Sequence, residues 1–290
     1  MNRRDLLKNS LFGASALILY PLVSHADGVA RAEAALAALQ QRHGGRLGVT
    51  MLDTGTGRRV AQRGDERFLM CSTFKVLAVA AALAKVDAGN EALDRRIVFG
   101  PDVLLNYAPV SRQHVGAPGM TVAELCQAAV TRSDNTAANL LLASLGGPAA
   151  VTRFLRGLGD PLTRLDRIEP ELNRGGPGDV RDTTTPNAML DTLQRLLLGH
   201  ALADASRVQL SGWLRESTTG LDKLRAGVPA DWLAGDKTGS GAHGESNDVA
   251  IFWPPQRKPI LVTAYYAGSS ADSKQRSAVL AEVGRIAASI

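Results

Sequence analysis

A serine placed three residues ahead of a lysine, Ser72-Thr73-Phe74-Lys75, sets a nucleophile one helical turn from an amine able to approach its hydroxyl. Three more clusters follow in order: Ser133-Asp134-Asn135, Glu169-Pro170-Glu171-Leu172-Asn173 and Lys237-Thr238-Gly239. They add a second hydroxyl that could relay a proton, a carboxylate that could act as general base, two amide side chains, and a cation next to a hydroxyl, a pair suited to clamping a substrate carboxylate. This is the inventory of acyl transfer. Each cluster alone is weak. An isolated Ser-x-x-Lys reads as a capped helix start with a solvated lysine, Ser-Asp-Asn and Glu-Pro-Glu-Leu-Asn read as polar loops, and Lys-Thr-Gly reads as a strand running into a turn. Their ordered combination carries the inference.

The elements that must position these groups are legible in outline. An Ala- and Leu-rich run over 72–86 favours a helix that Ser72 would open, where unpaired backbone NH groups and the positive dipole end favour an alkoxide and an oxyanion. Helical patterns also cover 30–41, a segment opening with the capping-box sequence Thr121-Val122-Ala123-Glu124, 136–145 ahead of Gly146-Gly147, 148–158, 186–198 behind a Thr185 cap, and 273–288. Strand patterns cover 47–52 and 59–63, joined as a hairpin by Asp53-Thr54-Gly55-Thr56-Gly57, then a run from Trp232 into Lys237-Thr238-Gly239, then 249–253 and 260–266. Strands at both ends with helices between them predict an α+β (or α/β) fold. Both chain ends build a helix-flanked antiparallel sheet, and an all-helical lobe, roughly 69–212, is inserted into a sheet lobe made of 27–68 and 213–290. The cleft between the lobes is the expected site.

In order and spacing the four motifs resemble those of class A serine β-lactamases, within the penicillin-recognising serine enzymes, from about Arg46 through the C-terminal helix. The resemblance implies that Ser72 is acylated by the β-lactam amide of penicillins and cephalosporins, with Lys75 or Glu169 as the base. It further implies that Ser133 relays a proton to the departing ring nitrogen and that Glu169, with Asn173, directs the water that releases the acyl group. Asn135 is assigned to the substrate's side-chain amide, Asp134 to structure, and Lys237, Thr238 and Ser240 to the substrate carboxylate. The backbone NH groups of Ser72 and Ser240 form the oxyanion hole, Tyr107 forms the aromatic wall, and Arg167 with Asp182 forms the ion pair closing the 169–173 loop. Where many relatives carry a carboxylate-binding arginine on the next strand, this chain has Ser246, and Lys223 and Arg276 are the candidate substitutes. A monomer without cofactor that confers β-lactam resistance is expected. A D-alanyl-D-alanine peptidase or transpeptidase shares the acylation chemistry but generally lacks the Glu-Pro-Glu-Leu-Asn loop. A β-lactam sensor that stays acylated would usually be tied to a membrane signalling segment, and no such segment is expected after residue 290.

The first residues read differently from the rest. A basic start with Arg3-Arg4 and Lys8, an apolar stretch over 11–23 and the small-residue stop Ser24-His25-Ala26 predict a signal peptide over 1–26, of twin-arginine or ordinary secretory type, and hence a periplasmic product. The apolar stretch is too short for a membrane span, so no stable membrane association is expected after processing. With the leader's three basic residues and Asp5 set aside, 30 basic and 27 acidic residues remain, a net of +3. This mild excess, with no basic block interleaved with aromatics, argues against a nucleic-acid partner and leaves small-molecule substrates. His114 and His243 make no ligand set with the other histidines or the cysteines, so no metal is expected. The two cysteines, Cys71 and Cys126, could pair in an oxidising compartment. Their contexts, one before the nucleophile and one inside a helical pattern, favour free buried thiols. The resemblance adds that carbapenem-hydrolysing relatives often pair the first cysteine with one at the place held here by Gly241, and that the usual partner of the second is replaced by Val79.

Overall fold

The structure, a computed structural model, describes residues 25–176 and 178–290, with side chains from residue 27 onward. The predicted leader, apart from the backbone of its last two residues, lies outside the described residues.

In chain order the strands are β1 (Arg46–Asp53), β2 (Arg59–Gln62), β3 (Phe68–Leu69), β4 (Arg96–Ile97), β5 (Met120–Thr121), β6 (Thr183–Thr184), β7 (Leu233–Ser240), β8 (Ser246–Trp253) and β9 (Ile260–Ala267). The helices are α1 (His25–His43), α2 (Phe74–Asp87), α3 (Val122–Thr131), α4 (Asn135–Leu145), α5 (Pro148–Gly157), α6 (Pro186–Leu197), α7 (Asp204–Arg215), α8 (Leu224–Gly227) and α9 (Ser273–Ala288). Five strands pair antiparallel in the order β2-β1-β9-β8-β7, so both ends of the chain build one sheet.

Strand alternation explains why that sheet is sandwiched. Val249 and Ile251 of β8 and Leu261 and Tyr265 of β9 join the core shared with α2, α3, α4, α6 and α7. Their neighbours Ala250, Phe252, Val262, Ala264 and Tyr266 point the other way, onto Leu36 and Leu39 of α1 and Val279, Leu280 and Val283 of α9. With both faces covered, β8 and β9 are buried along nearly their whole length. Apart from Lys75, helix α2 is apolar on every side from Phe74 through Leu83 and buried there, so it runs through the middle of the helical layer and carries the start of the site with it.

Cap chemistry sets several boundaries. Thr121 accepts from Glu124 N (3.1 Å) while Glu124 accepts from Thr121 N (2.7 Å), the reciprocal box the sequence predicts. Thr185 caps α6 as expected. Other expectations are corrected. The chain does not enter an α-helix at Ser72: Cys71–Thr73 form a 3₁₀ turn, and α-helical bonding starts at Phe74. Arg63, expected in the second strand, has φ 48° and ends β2 at Gln62. Strand β8 begins at Ser246, three residues early, because its polar first residues pair with both β7 and β9. Helix α7 carries Ser, Gly and Val at interior positions that dilute helix propensity, and it is held by burial of Leu210, Trp213 and Leu214.

Candidate active site

The nucleophile turn is shaped by its neighbours. Cys71 takes a left-handed conformation, φ 46°, and turns the chain out of β3 into the short 3₁₀ segment. Ser72 follows at the mouth of the cleft and donates its hydroxyl to Glu169 Oε1 at 3.2 Å. Lys75 lies in the first turn of α2 with no exposure. Its amine donates to Ser133 O (2.7 Å) and Asn135 Oδ1 (2.5 Å), approaches Ser133 Oγ (3.3 Å), and forms an ion pair with Glu169 Oε1 (3.2 Å). Burial pushes the amine below its ordinary lysine value, and the Glu169 carboxylate opposes that shift. Spacing alone predicts an approach of the Lys75 amine to the Ser72 hydroxyl. Here Glu169 takes the hydroxyl instead, and among the described residues no hydrogen bond joins Ser72 to Lys75.

Ser133 sits between α3 and α4 with φ 55°, a bend that turns its hydroxyl inward. The following Asp134 caps α4 through Ala137 N (2.9 Å) and accepts from Val110 N, Ser111 N and Ser111 Oγ. It thereby ties the motif to the loop carrying Tyr107, whose carbonyl accepts from Asn135 N (3.0 Å). From the sheet side, Lys237 Nζ donates to Ser133 Oγ at 3.0 Å. Two amines thus point at one hydroxyl oxygen, leaving the Ser133 proton free to aim into the cleft. Burial and the nearby Lys75 charge bring the Lys237 amine down to about 7.

Glu169 is held at both ends. Asn173 Nδ2 donates to its Oε2 at 2.6 Å. Its backbone N and O are both taken by the side chain of Asn139, at 3.0 and 2.9 Å. The loop beyond closes on Asp182, which pairs with Arg167 (2.5 Å) and accepts from Asp166 N and Arg167 N, the ion pair the resemblance implies. Asn173 Oδ1 is buried and has no partner among the described atoms, so the amide that holds Glu169 Oε2 carries an unsatisfied acceptor.

Strand β7 lies against the nucleophile turn. A Cβ at Gly239 would come within 2.8 Å of Met70 O and 3.2 Å of Ser72 N, so glycine is what lets the strand edge bring Ser240 to Ser72. Ser72, Tyr107, Ser133, Asn135, Glu169, Asn173, Thr238 and Ser240 line one cleft of about 330 Å³, with Lys75 and Lys237 buried behind Ser133. All ten predicted site residues therefore converge. Tyr107 is half exposed on the cleft wall. Of the two basic candidates, Lys223 lines the cleft, whereas Arg276 donates to Ala271 O and lies beside Gly244. Thr219, also in the lining, and Asn139, behind Glu169, belong to no motif and were not foreseen from the sequence.

Cys71 and Cys126 are both free and buried. A Cβ at Gly241 would stand 3.0 Å from Cys71 Sγ, so the position the resemblance names as a pairing partner does adjoin this thiol and here offers it no sulfur.

A nucleophilic hydroxyl directed at a carboxylate, backed by two buried amines and roofed by a strand edge, is geometry for forming and cleaving an ester. Comparison with known proteins agrees. Residues 31–290 match the family model described as the β-lactamase enzyme family. The chain belongs to the class A β-lactamases. It is 45% identical to β-lactamase CTX-M-25 of Escherichia coli, covering 98% of this chain and 96% of the relative. Identity to β-lactamase L2 of Stenotrophomonas maltophilia is 47%, over 98% and 97%. Among solved structures, an ancestral class A β-lactamase of Gram-negative bacteria superposes with a TM-score of 0.86 at 63% identity, covering 88% of this chain and 98% of that one. Among the described residues, no helix of this class A enzyme is long and apolar enough to cross a membrane.

Proposed function

We propose that the protein hydrolyses the β-lactam amide of penicillins and cephalosporins through an acyl-enzyme on Ser72. The observation that carries this reading is the Glu169 carboxylate shared between the Ser72 hydroxyl and Asn173, because a trap that forms the ester needs no base to release it. In the free enzyme Glu169 is positioned to take the Ser72 proton, while Lys75, spread over the Ser133 and Asn135 acceptors and the Glu169 carboxylate, supplies charge. The Ser72 oxygen then attacks the lactam carbonyl, whose developing oxyanion meets the backbone NH groups of Ser72 and Ser240. Such donors are worth on the order of 10²–10³ in rate each. As the carbon–nitrogen bond breaks, Ser133 gives its proton to the ring nitrogen and is reprotonated by Lys75, which recovers from Glu169 the proton taken from Ser72, so that Glu169 is a carboxylate again. In the second half a water bound between Glu169 and the unpartnered Asn173 Oδ1 loses its proton to Glu169 and attacks the ester carbonyl, and as the carbon–oxygen bond breaks Glu169 passes that proton to the departing Ser72 oxygen. Lys237, Thr238 and Ser240, with Lys223 nearby, bind the substrate carboxylate, Asn135 binds the acylamido side chain, and Tyr107 flanks it.

We further propose that residues 27–290 form one catalytic domain, with the helical lobe of roughly 69–212 inserted into the sheet lobe. The same reading makes it a monomeric periplasmic enzyme that acts on small-molecule β-lactams, contributes β-lactam resistance and uses no cofactor. Purified residues 27–290, assayed against a panel of penicillins and cephalosporins, should open the lactam ring catalytically, and Ser72→Ala should abolish turnover. Persistent hydrolysis by Ser72→Ala would remove Ser72 from the reaction.

A further inference from the structure

Thr238 is not alone on its side of the cleft. Its hydroxyl lies 2.6 Å from that of Thr219, which lies 3.5 Å from Ser217 Oγ, which in turn donates to Asp236 Oδ2 at 3.2 Å. Asp236 has no exposure, and its other oxygen is held by Arg225. The chain of hydroxyls is built into the fold. Gly220 packs so close to β7 that a Cβ there would meet Asp236 Oδ2 at 2.2 Å and Thr238 Cγ2 at 3.1 Å, and Thr218 N ties the segment to Thr131 O at the end of α3. Segment 217–220 thus presses hydroxyls against the strand face that carries Thr238.

Proton counting gives this chain a direction. A carboxylate only accepts, so Asp236 takes the single Ser217 proton. When a substrate carboxylate sits on Thr238, it claims the Thr238 proton in the same way. Two hydroxyl oxygens 2.6 Å apart need a proton between them, and only Thr219 can then supply it. We propose that Thr219 is a positioning residue for the substrate carboxylate: its hydroxyl donates to Thr238 Oγ1 and so turns the Thr238 proton toward the ligand. This rests on the carboxylate role proposed above for Thr238. A donor behind a donor also polarises it, which strengthens the outer hydrogen bond. In the free enzyme the pair can run the opposite way, Thr238 donating to Thr219, so ligand binding reverses this one hydrogen bond by turning two hydroxyl protons without moving a heavy atom. The device selects for an anionic acceptor at the Thr238 position.

The test is steady-state kinetics of Thr219→Val, which keeps the shape and removes the hydroxyl, beside Thr219→Ser, which restores a donor. Each is run on a penicillin and on its carboxylate methyl ester. Thr219→Val should raise KM for the acid roughly threefold to tenfold, the scale of one hydrogen bond to a charged partner network, with kcat changed less than about twofold. Thr219→Ser should recover most of the loss, and the ester should show no Thr219-dependent change. Equal losses on acid and ester, or no recovery by Thr219→Ser when the thermal midpoints of both variants match wild type, would overturn the proposal. Should Thr238→Val leave the acid's KM unchanged as well, the carboxylate role of Thr238 itself fails, an outcome distinct from failure at Thr219 alone.

Discussion

Lys237 is an ammonium with no exposure, facing another amine across the Ser133 hydroxyl, and burial together with the Lys75 charge brings it down to about 7. Its charge is what a substrate carboxylate needs. Below that value Lys237 is protonated and binding-competent. As the pH rises through it the cation is lost, so kcat/KM, which reports free-enzyme ionisations, should fall about tenfold per pH unit on the alkaline side. Lys237→Arg should keep much of the activity and lose this limb, because a guanidinium stays charged, although its forked donors fit a different geometry. Lys237→Ala should lower kcat/KM about 10- to 100-fold, the scale of a charge-assisted hydrogen bond. A pH–rate profile for Lys237→Arg that retains the wild-type alkaline limb would assign that limb to another group.

At the scale of elements, the site depends on three segments meeting: the 3₁₀ turn with α2, the α3–α4 connection, and the edge of β7, with the 166–182 loop closing below. Asn139, one turn into α4, secures that loop by bonding both backbone groups of Glu169. Asn139→Ala leaves a donor and an acceptor without partners and should cost about 1–3 kcal/mol of stability. It should also slow release of the acyl group more than its formation, a split that burst kinetics on a penicillin would measure. An unchanged ratio of the two steps would show that Asn139 serves the fold alone. Much of this framework was legible in the sequence, since the motif residues lie at element ends: Ser133-Asp134-Asn135 between two helical patterns, and Lys237-Thr238-Gly239 closing the strand pattern. Asn139 was not legible, because its partners are backbone atoms 30 residues away, and a polar residue on a helix looks solvated. Thr219 escaped for a related reason. Its meaning comes from Gly220 allowing a close approach to β7, a contact between segments that no local pattern encodes. The helix start at Ser72 was misplaced because Cys71 takes a left-handed conformation that composition does not reveal.

On the scale of the whole molecule, two chain ends that pair into one sheet make the sheet lobe depend on residues far apart in sequence, while the nucleophile sits where that sheet meets the helical layer. Both thiols lie inside, Cys71 under the nucleophile turn and Cys126 in α3, and burial pushes each above the ordinary thiol value. Folded protein should therefore resist a thiol-alkylating reagent and take up two equivalents once denatured. Uptake of none after denaturation would mean that the pair had been oxidised. The acyl-enzyme mechanism meets its most direct test in the intact mass of Glu169→Ala followed over time with a penicillin. Because general-base catalysis is worth on the order of 10²–10⁴, removing the carboxylate should nearly stop turnover, while Ser72, its proton then passing to the buried Lys75 amine that Glu169 no longer holds charged, acquires an adduct of the whole penicillin mass more slowly than wild type and keeps it. Ser72→Ala should show neither adduct nor turnover. Rapid continued turnover by Glu169→Ala with no adduct on Ser72 would contradict hydrolysis through a Glu169-released ester.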